Sequence, residues 1–203
     1  MPLLQNGVYV ENSDKPYELE TVYYLNFHIL SALFSIERLY SFETNEIWNN
    51  KVQYYHYYAD HLLFCVGQIA NRFVDGNSKK SLLERKRINR GNFNFTDEKY
   101  PILSNKSARN VIEHIDERNQ KIIANKQGVG GFNIIDDATS LELTKTLRER
   151  TDSHPYTLDL IKKELLIRDN ESDLVINIDY LKQELELLHK SVIYFEQIIT
   201  DLF

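Results

Sequence analysis

Arg109, Asn110 and His114 are the residues of this chain whose types and spacing best suit chemistry on a phosphate ester. Histidine transfers protons near neutral pH because its pKa lies in that range. Arginine binds a phosphate through two N–H donors at once. Asn110 lies one helical turn before His114, where its side chain can hydrogen-bond the imidazole and set its orientation. These three residues are the candidate catalytic group.

A helix predicted over residues 104–125 must position this group. Its narrow apolar stripe is formed by Ala108, Val111, Ile112, Ile115 and Ile122. At about 100° per residue, Arg109 and His114 lie roughly 140° apart around the helix, so one chain forms an incomplete site. Packing of this helix against its twin in a homodimer would bring two groups together. The alternative is a solvated surface, in which Arg109 forms an ordinary i,i+4 ion pair with Glu113.

The stretch Arg109-Asn110-Val111-Ile112-Glu113-His114 resembles the signature of the HEPN superfamily, an arginine, often followed by asparagine, with a histidine about five positions after the arginine. The resemblance implies a compact bundle of four or five helices. It also implies metal-independent cleavage of RNA by dimers that act in toxin–antitoxin or phage-defence systems, with an antitoxin or other protein as a further partner. In that family's terms, His114 moves the proton and Arg109 holds the phosphate.

A basic segment is the candidate RNA contact. Between residues 76 and 100 there are 7 basic and 3 acidic side chains, although the whole chain has a net charge of −6. Basic groups neutralise phosphates, and the aromatic residues that follow can stack on bases. The alternative is a solvated segment whose aromatic side chains belong to the core. The basic candidates are Lys79, Lys80, Arg85, Lys86, Arg87 and Arg90, and the aromatic ones are Phe93, Phe95 and Tyr100.

The elements around these candidates are mainly helical. Apolar residues at three-four spacing predict long helices over 17–42, 45–74, 104–125 and 179–202, with Thr44 as the N-cap of the second. A short helix is predicted over 81–88 and a short strand over 132–135. Residues 156–178 favour a β-hairpin, although the first half of this segment also fits a helical period. The fold class is therefore a mainly α, HEPN-like bundle of four or five helices with a β-hairpin insert before the last helix, in a single domain 1–203.

The composition narrows the function classes. With 203 residues, 42% apolar and 27% charged, the chain is typical of a globular domain. The single cysteine, Cys65, lies in an apolar run and is predicted to be a core residue in a reducing compartment. The first residues lack a secretory pattern and no stretch approaches the roughly 20 apolar residues of a membrane span, which predicts a cytoplasmic protein without a membrane partner. No cofactor is expected.

Two other functions fit the same sequence. A non-catalytic interaction or scaffold protein would bind a partner through the tyrosine-rich run 54–58 and the acidic C-terminal helix, and it predicts an exposed apolar patch. A metal-binding helical-bundle enzyme is the weaker alternative, in which Asp60 and His28 could be recruited to a metal site. No Glu-x-x-His pattern supports a di-iron site, and His56 and His61 are five residues apart rather than three or four.

Overall fold

A computed structural model describes residues 3–5, 8–10, 17–42, 50–75, 80–105, 132–137, 139, 142, 156–168 and 173–200. Most of the helix predicted over 104–125 lies outside these residues, together with Arg109, Asn110 and His114. Lys79 and Thr44 also lie outside them. Residues 101–104 form a turn.

The described part of the chain is mostly helical, with a small four-stranded sheet. Its helices are α1 (Tyr17–Tyr40), α2 (Lys51–Ala70), α3 (Lys80–Asn92) and α4 (Ile178–Thr200). Strands β1 (Leu3–Gln5) and β2 (Val8–Val10) form an antiparallel pair. The sheet contains, in spatial order, β3 (Phe132–Ile135), β4 (Tyr156–Asp159), β5 (Glu164–Arg168) and β6 (Asp173–Asn177). None of the described helices combines the length and the apolar character needed to cross a membrane.

Helix α1 lies between α2 and α4. On one flank, Asn26 donates to Glu196 of α4 at 3.4 Å, and Tyr40 donates to Asp179 at 2.8 Å, so α1 and α4 run antiparallel. On the other flank, Ser35 and His61 of α2 form a hydrogen bond. A third side faces the core with fully buried Val22, Leu25, Ile29, Ala32, Ile36 and Leu39. Helix α1 is therefore covered on three sides, by α2, by α4 and by the core.

Helix α2 begins at Lys51, later than the sequence suggested. Asn50 is extended, and its side-chain oxygen accepts from the backbone N–H of Val52 at 2.9 Å. This bond satisfies a donor that has no partner inside the helix, so Asn50, rather than Thr44, is the N-cap. After Ala70 the chain turns, and the backbone N–H of Val74 bonds to the Ala70 carbonyl.

The hairpin predicted over 156–178 is confirmed and is one part of a larger sheet. Strands β5 and β6 pair antiparallel, with Leu165 opposite Ile176. Strand β4 pairs antiparallel with β5 and parallel with the predicted strand β3. The helical alternative for the first half of this segment is wrong, because Asp159 caps a tight turn that reverses the chain. Its carboxylate accepts from the backbone N–H groups of Ile161 and Lys162, at 3.0 and 2.9 Å.

The aromatic residues that follow α3 belong to the core. Phe93, Phe95 and Tyr100 are each at most 2% exposed. The ring of Phe95 stacks between those of Phe73, at 4.2 Å, and Tyr100, at 4.6 Å. The core interpretation is therefore confirmed, and these rings are not available to nucleic-acid bases.

Candidate functional site

Two of the predicted RNA-binding residues on α3 are exposed on one helix face. Lys80 and Arg87 are seven residues apart, which is close to two helical turns, so both side chains leave α3 on the same side. Basic side chains in this arrangement can bind successive phosphates of a nucleic-acid strand.

Three other predicted RNA-binding residues have structural contacts. Lys86 is buried, and its ammonium group donates to the Val74 carbonyl at 2.7 Å, which joins α3 to the turn after α2. The guanidinium of Arg85 lies 4.3 Å from the ring of Tyr17. Arg90 forms an ion pair with Asp97 at 2.6 Å. These contacts hold α3 in place, so the cations available to a ligand are fewer than the sequence suggested.

A cleft of about 450 Å³ runs along the exposed side of α3. Its lining includes three basic and three acidic side chains, whose formal charges cancel. Attraction for an anion therefore depends on where each charge lies rather than on the net charge of the cleft. One wall is formed by Ser104, in the turn that precedes the candidate catalytic stretch. The lining residues are Val74, Asp75, Lys80, Leu83, Glu84, Arg87, Arg90, Asp97 and Ser104.

A buried glutamate fixes that turn to α4. The carboxylate of Glu184 accepts from the backbone N–H of Ile102 at 2.9 Å and from that of Leu103 at 2.9 Å. Burial raises the pKa of this carboxyl above its ordinary value, and the two backbone bonds oppose that shift without cancelling it. Because Arg109 follows Asn105 by four residues, the chain leaves this anchored turn directly into the candidate catalytic stretch.

Glu184 is not among the residues predicted from the sequence, although its position in α4 carries a signal. Glu184 lies within the apolar stripe of α4, between Leu181 and Leu185, where a charged side chain needs a partner in the core. A glutamate at such a position predicts buried hydrogen-bond donors on a neighbouring element.

Histidine and cysteine side chains meet between α1 and α2. His61 Nδ1 lies 2.8 Å from the Ser35 hydroxyl, and its Nε2 lies 3.9 Å from the sulfur of Cys65. Cys65 is fully buried, as predicted, and burial raises the pKa of its thiol to about 11. The neutral thiol is a poor nucleophile, so this pair does not form a catalytic dyad.

His28 is buried between aromatic rings rather than arranged as a metal ligand. Its ring lies 4.4 Å from Tyr24 and 5.9 Å from Phe64. Burial lowers the pKa of His28, and the nearby charges of Arg72 and His61 lower it further. Nδ1 of His28 has no hydrogen-bond partner among the described residues. Within this part of the chain, no group of three or more His, Cys, Asp or Glu side chains is placed to hold a metal ion.

Six large apolar side chains of α1 and α2 form an exposed surface, which we call the aromatic face. It consists of Tyr23, Phe27, Leu30 and Phe34 of α1 with Tyr57 and Phe64 of α2. The ring of His28 bridges the two helices, because it lies 5.1 Å from Phe27 and 5.9 Å from Phe64. An exposed apolar patch, which the interaction alternative predicts, is thus present.

The aromatic face only partly coincides with the surface expected for that alternative. Within the tyrosine-rich run, Tyr54 and Tyr55 are buried and Tyr57 is exposed. Most of the face comes from α1, whose large apolar residues occupy nearly all sides of the helix.

In comparisons with known proteins, no family model, curated protein or solved structure matches the chain.

Proposed function

We propose that this chain is a HEPN-like protein that cleaves RNA without a metal ion, with Arg109, Asn110 and His114 as its catalytic group. The observation that carries the proposal is the position of the α3 cleft. Ser104, five residues before Arg109, lines this cleft together with exposed Lys80 and Arg87. The cleft on the basic helix thus includes a residue that precedes the candidate catalytic stretch by five positions in the sequence, and this proximity along the chain supports the proposal.

The reaction proposed is transesterification that releases the 3′ fragment with a 5′-hydroxyl end. A base removes the proton of a ribose 2′-hydroxyl, and the 2′-oxygen attacks the adjacent phosphorus. The bond from phosphorus to the 5′-oxygen breaks, that oxygen takes up a proton, and a 2′,3′-cyclic phosphate remains. His114 supplies one proton transfer and Arg109 binds the charged phosphorane oxygens. A second proton-transfer group would come from His114 of a second subunit, which links activity to dimerisation.

The first test is cleavage of a mixed pool of single-stranded RNAs in excess EDTA. The proposal expects 2′,3′-cyclic phosphate ends from the wild type, and a loss of kcat of about 10²–10⁴-fold for His114→Ala. Arg109→Ala should lose activity on a similar scale, because the transition-state charge then has no bound cation. Equal cleavage by the wild type and a folded His114→Ala variant, or none by a folded wild type, contradicts the proposal.

A second test concerns the cleft. Lys80→Ala combined with Arg87→Ala should raise KM about 10-fold and lower the slope of log affinity against log salt by about 1.4, because two phosphate contacts on a single strand are lost. Lys162→Ala is the matched control, since this exposed lysine lies in the turn between β4 and β5. An equal effect in the control would remove the cleft from the RNA-binding surface.

Association through helices is the second candidate function, and the aromatic face favours it. Phe27 is 65% exposed although it is among the largest apolar side chains of the protein. Contiguous exposed apolar surface on this scale is typical of protein-binding sites. The test is a photo-crosslinking amino acid at Phe27 in native cells, with the same group at Tyr194 as control. Specific adducts at Phe27 support association, and their absence contradicts it.

A further inference from the structure

The exposed positions of α1 follow the spacing of a coiled-coil seam. Between Glu20 and Glu37 they occur at residues 20, 23, 27, 30, 34 and 37. The intervals are three, four, three, four and three, which is the pattern of a and d positions in heptads. The four inner positions are large and apolar, and only the two end positions are charged. This seam lies opposite the core side of α1, with α2 and α4 on its flanks.

We propose that α1 pairs antiparallel with α1 of a second copy of this chain, so that the aromatic face becomes a homodimer interface. This inference deepens the second candidate function, because it names the partner. The intervals of the seam are the same in both directions about a midpoint between Phe27 and Leu30. A two-fold axis through that midpoint places Phe27 against Leu30 of the partner subunit and Tyr23 against Phe34 of the partner subunit.

Charges at the edge of the seam fit this arrangement. The guanidinium of Arg38 lies 5.0 Å from the ring of Phe34, beside the seam. Glu20 precedes Arg38 by 18 residues, which is about five helical turns, so both leave α1 on the same side. An antiparallel copy then brings Glu20 next to Arg38 of the partner subunit at both ends of the interface. The same axis places Glu20 opposite Glu37 of the partner subunit, and Arg38 of the partner subunit is the cation that offsets this repulsion. A parallel copy would place Glu20 against Glu20 of the partner subunit with no basic residue of α1 beside it.

The size of the surface suits a modest dimer. The seam is about 26 Å long at 1.5 Å per residue. Tyr57 and Phe64 extend it across a second helix, so its width is roughly 20 Å at usual helix separations. Each copy would therefore bury on the order of 500 Å², less than the roughly 600–1,000 Å² per partner of stable specific complexes. We expect a dissociation constant in the micromolar range.

Sedimentation equilibrium of the full chain without RNA tests the pairing. The wild type should dimerise at micromolar concentration, and Phe27→Asp should weaken the dimer at least about 100-fold, because two carboxylates are buried per dimer. Tyr194→Asp is the matched control. Tyr194 is 67% exposed, close to the 65% of Phe27, and lies on the far side of α4 from Glu196, which contacts α1. Circular dichroism establishes that each variant is folded.

A charge exchange tests the antiparallel register. The substitutions are Arg38→Glu alone and Arg38→Glu combined with Glu20→Arg. Arg38→Glu alone should weaken the dimer about 10-fold, because it converts two attractions per dimer into two repulsions. The two substitutions together should restore the dissociation constant to within about 3-fold of wild type. A combined variant weaker than Arg38→Glu alone overturns the proposed pairing.

Four further outcomes separate this inference from the proposed functions. A wild type that stays monomeric at about 200 µM overturns the pairing, as does equal weakening by Phe27→Asp and Tyr194→Asp. Crosslinks from Phe27 to a different protein, with none to a second copy, overturn the pairing and leave association intact. Dimerisation through the helix predicted over 104–125, on which the proposed cleavage depends, would survive Phe27→Asp. A Phe27→Asp variant that dimerises as strongly as the wild type therefore overturns the α1 pairing and leaves the cleavage proposal standing.

Discussion

Replacing Glu184 is expected to show how firmly the turn before the candidate catalytic stretch is held. In Glu184→Ala, the backbone N–H groups of Ile102 and Leu103 lose the carboxylate that lies 2.9 Å from each. Leu103 is fully buried, so water cannot replace the lost acceptor there. A hydrogen bond to a charged group contributes about 1.5–3 kcal/mol, and the two losses share one side chain. We expect the free energy of unfolding to fall by about 3 kcal/mol.

Glu184→Gln separates the role of the acceptor from the role of the charge. The amide oxygen of glutamine can accept from both N–H groups, and a neutral side chain avoids the burial cost that raises the pKa of Glu184. We therefore expect this variant to lie within about 1 kcal/mol of wild type. Urea unfolding followed by circular dichroism is the assay. With a slope of about 2 kcal/mol per molar urea, Glu184→Ala should shift the midpoint by roughly 1.5 M.

The difference in stability between Glu184→Gln and wild type should change with pH in a direction that the pKa of Glu184 determines. Because the folded pKa of Glu184 is raised, the native state binds the proton more tightly than the unfolded state. The stabilisation of the folded state by this tighter proton binding is fully present below pH 4.5, the ordinary pKa of the carboxyl group. It is lost as the pH rises through the pKa of the folded state. Glu184→Gln has no carboxyl group at this position and does not lose this stabilisation. The stability of Glu184→Gln relative to wild type should therefore improve between pH 4 and pH 7. A Glu184→Ala variant as stable as Glu184→Gln at pH 7 would refute the reasoning.

Three other changes test the core. Burial lowers the pKa of His28, so the stability of the wild type should fall as the pH drops below 6.5, the ordinary pKa of histidine. Urea midpoints measured at pH 5 and pH 8 test this, and His28→Phe should show much less of that fall. The pKa of Cys65, about 11 against 9.0, predicts at least about 100-fold slower reaction with a thiol reagent than in the unfolded chain, and equal rates would contradict this. Lys86→Met removes the 2.7 Å hydrogen bond to the Val74 carbonyl and should lower the free energy of unfolding in urea by about 1–2 kcal/mol. In the control Lys80→Met, at an exposed position, the free energy of unfolding should stay within about 0.5 kcal/mol of wild type.

Periodicity was enough to predict most of the described elements. The bounds of α1 and α4 lie within two residues of the predicted helices, and the hairpin of β5 and β6 lies within the predicted segment 156–178, where two short apolar runs flank a turn-rich stretch. Both patterns arise from local geometry, since side chains repeat every 3.6 residues in a helix and every two in a strand. The segment 156–167 was ambiguous because its leucines fit both periods, and the turn at Asp159 decided it.

The basic residues that can bind a ligand were harder to predict than the helices and strands, because they depend on which basic side chains of α3 are already paired within the protein. The basic residues of α3 look equivalent in the sequence. In the fold, Lys86 is bonded to the chain 12 residues away and Arg90 is paired with Asp97, whereas Lys80 and Arg87 face the cleft. Burial and pairing of a side chain are properties of its neighbours in space, which a single sequence does not specify.

The sequence by itself determined most of the element types, the core status of Cys65 and the Arg109-Asn110-x3-His114 stretch, because these depend on residue type and short-range spacing. Only the tertiary structure decided that Glu184 holds a turn 82 residues earlier in the chain and that one side of α1 has no cover among the described elements. A helix that is apolar nearly all round can be enclosed on every side or left open on one. The packing of α2 and α4 on its flanks makes that choice, and the uncovered side is the surface that we assign to a second copy.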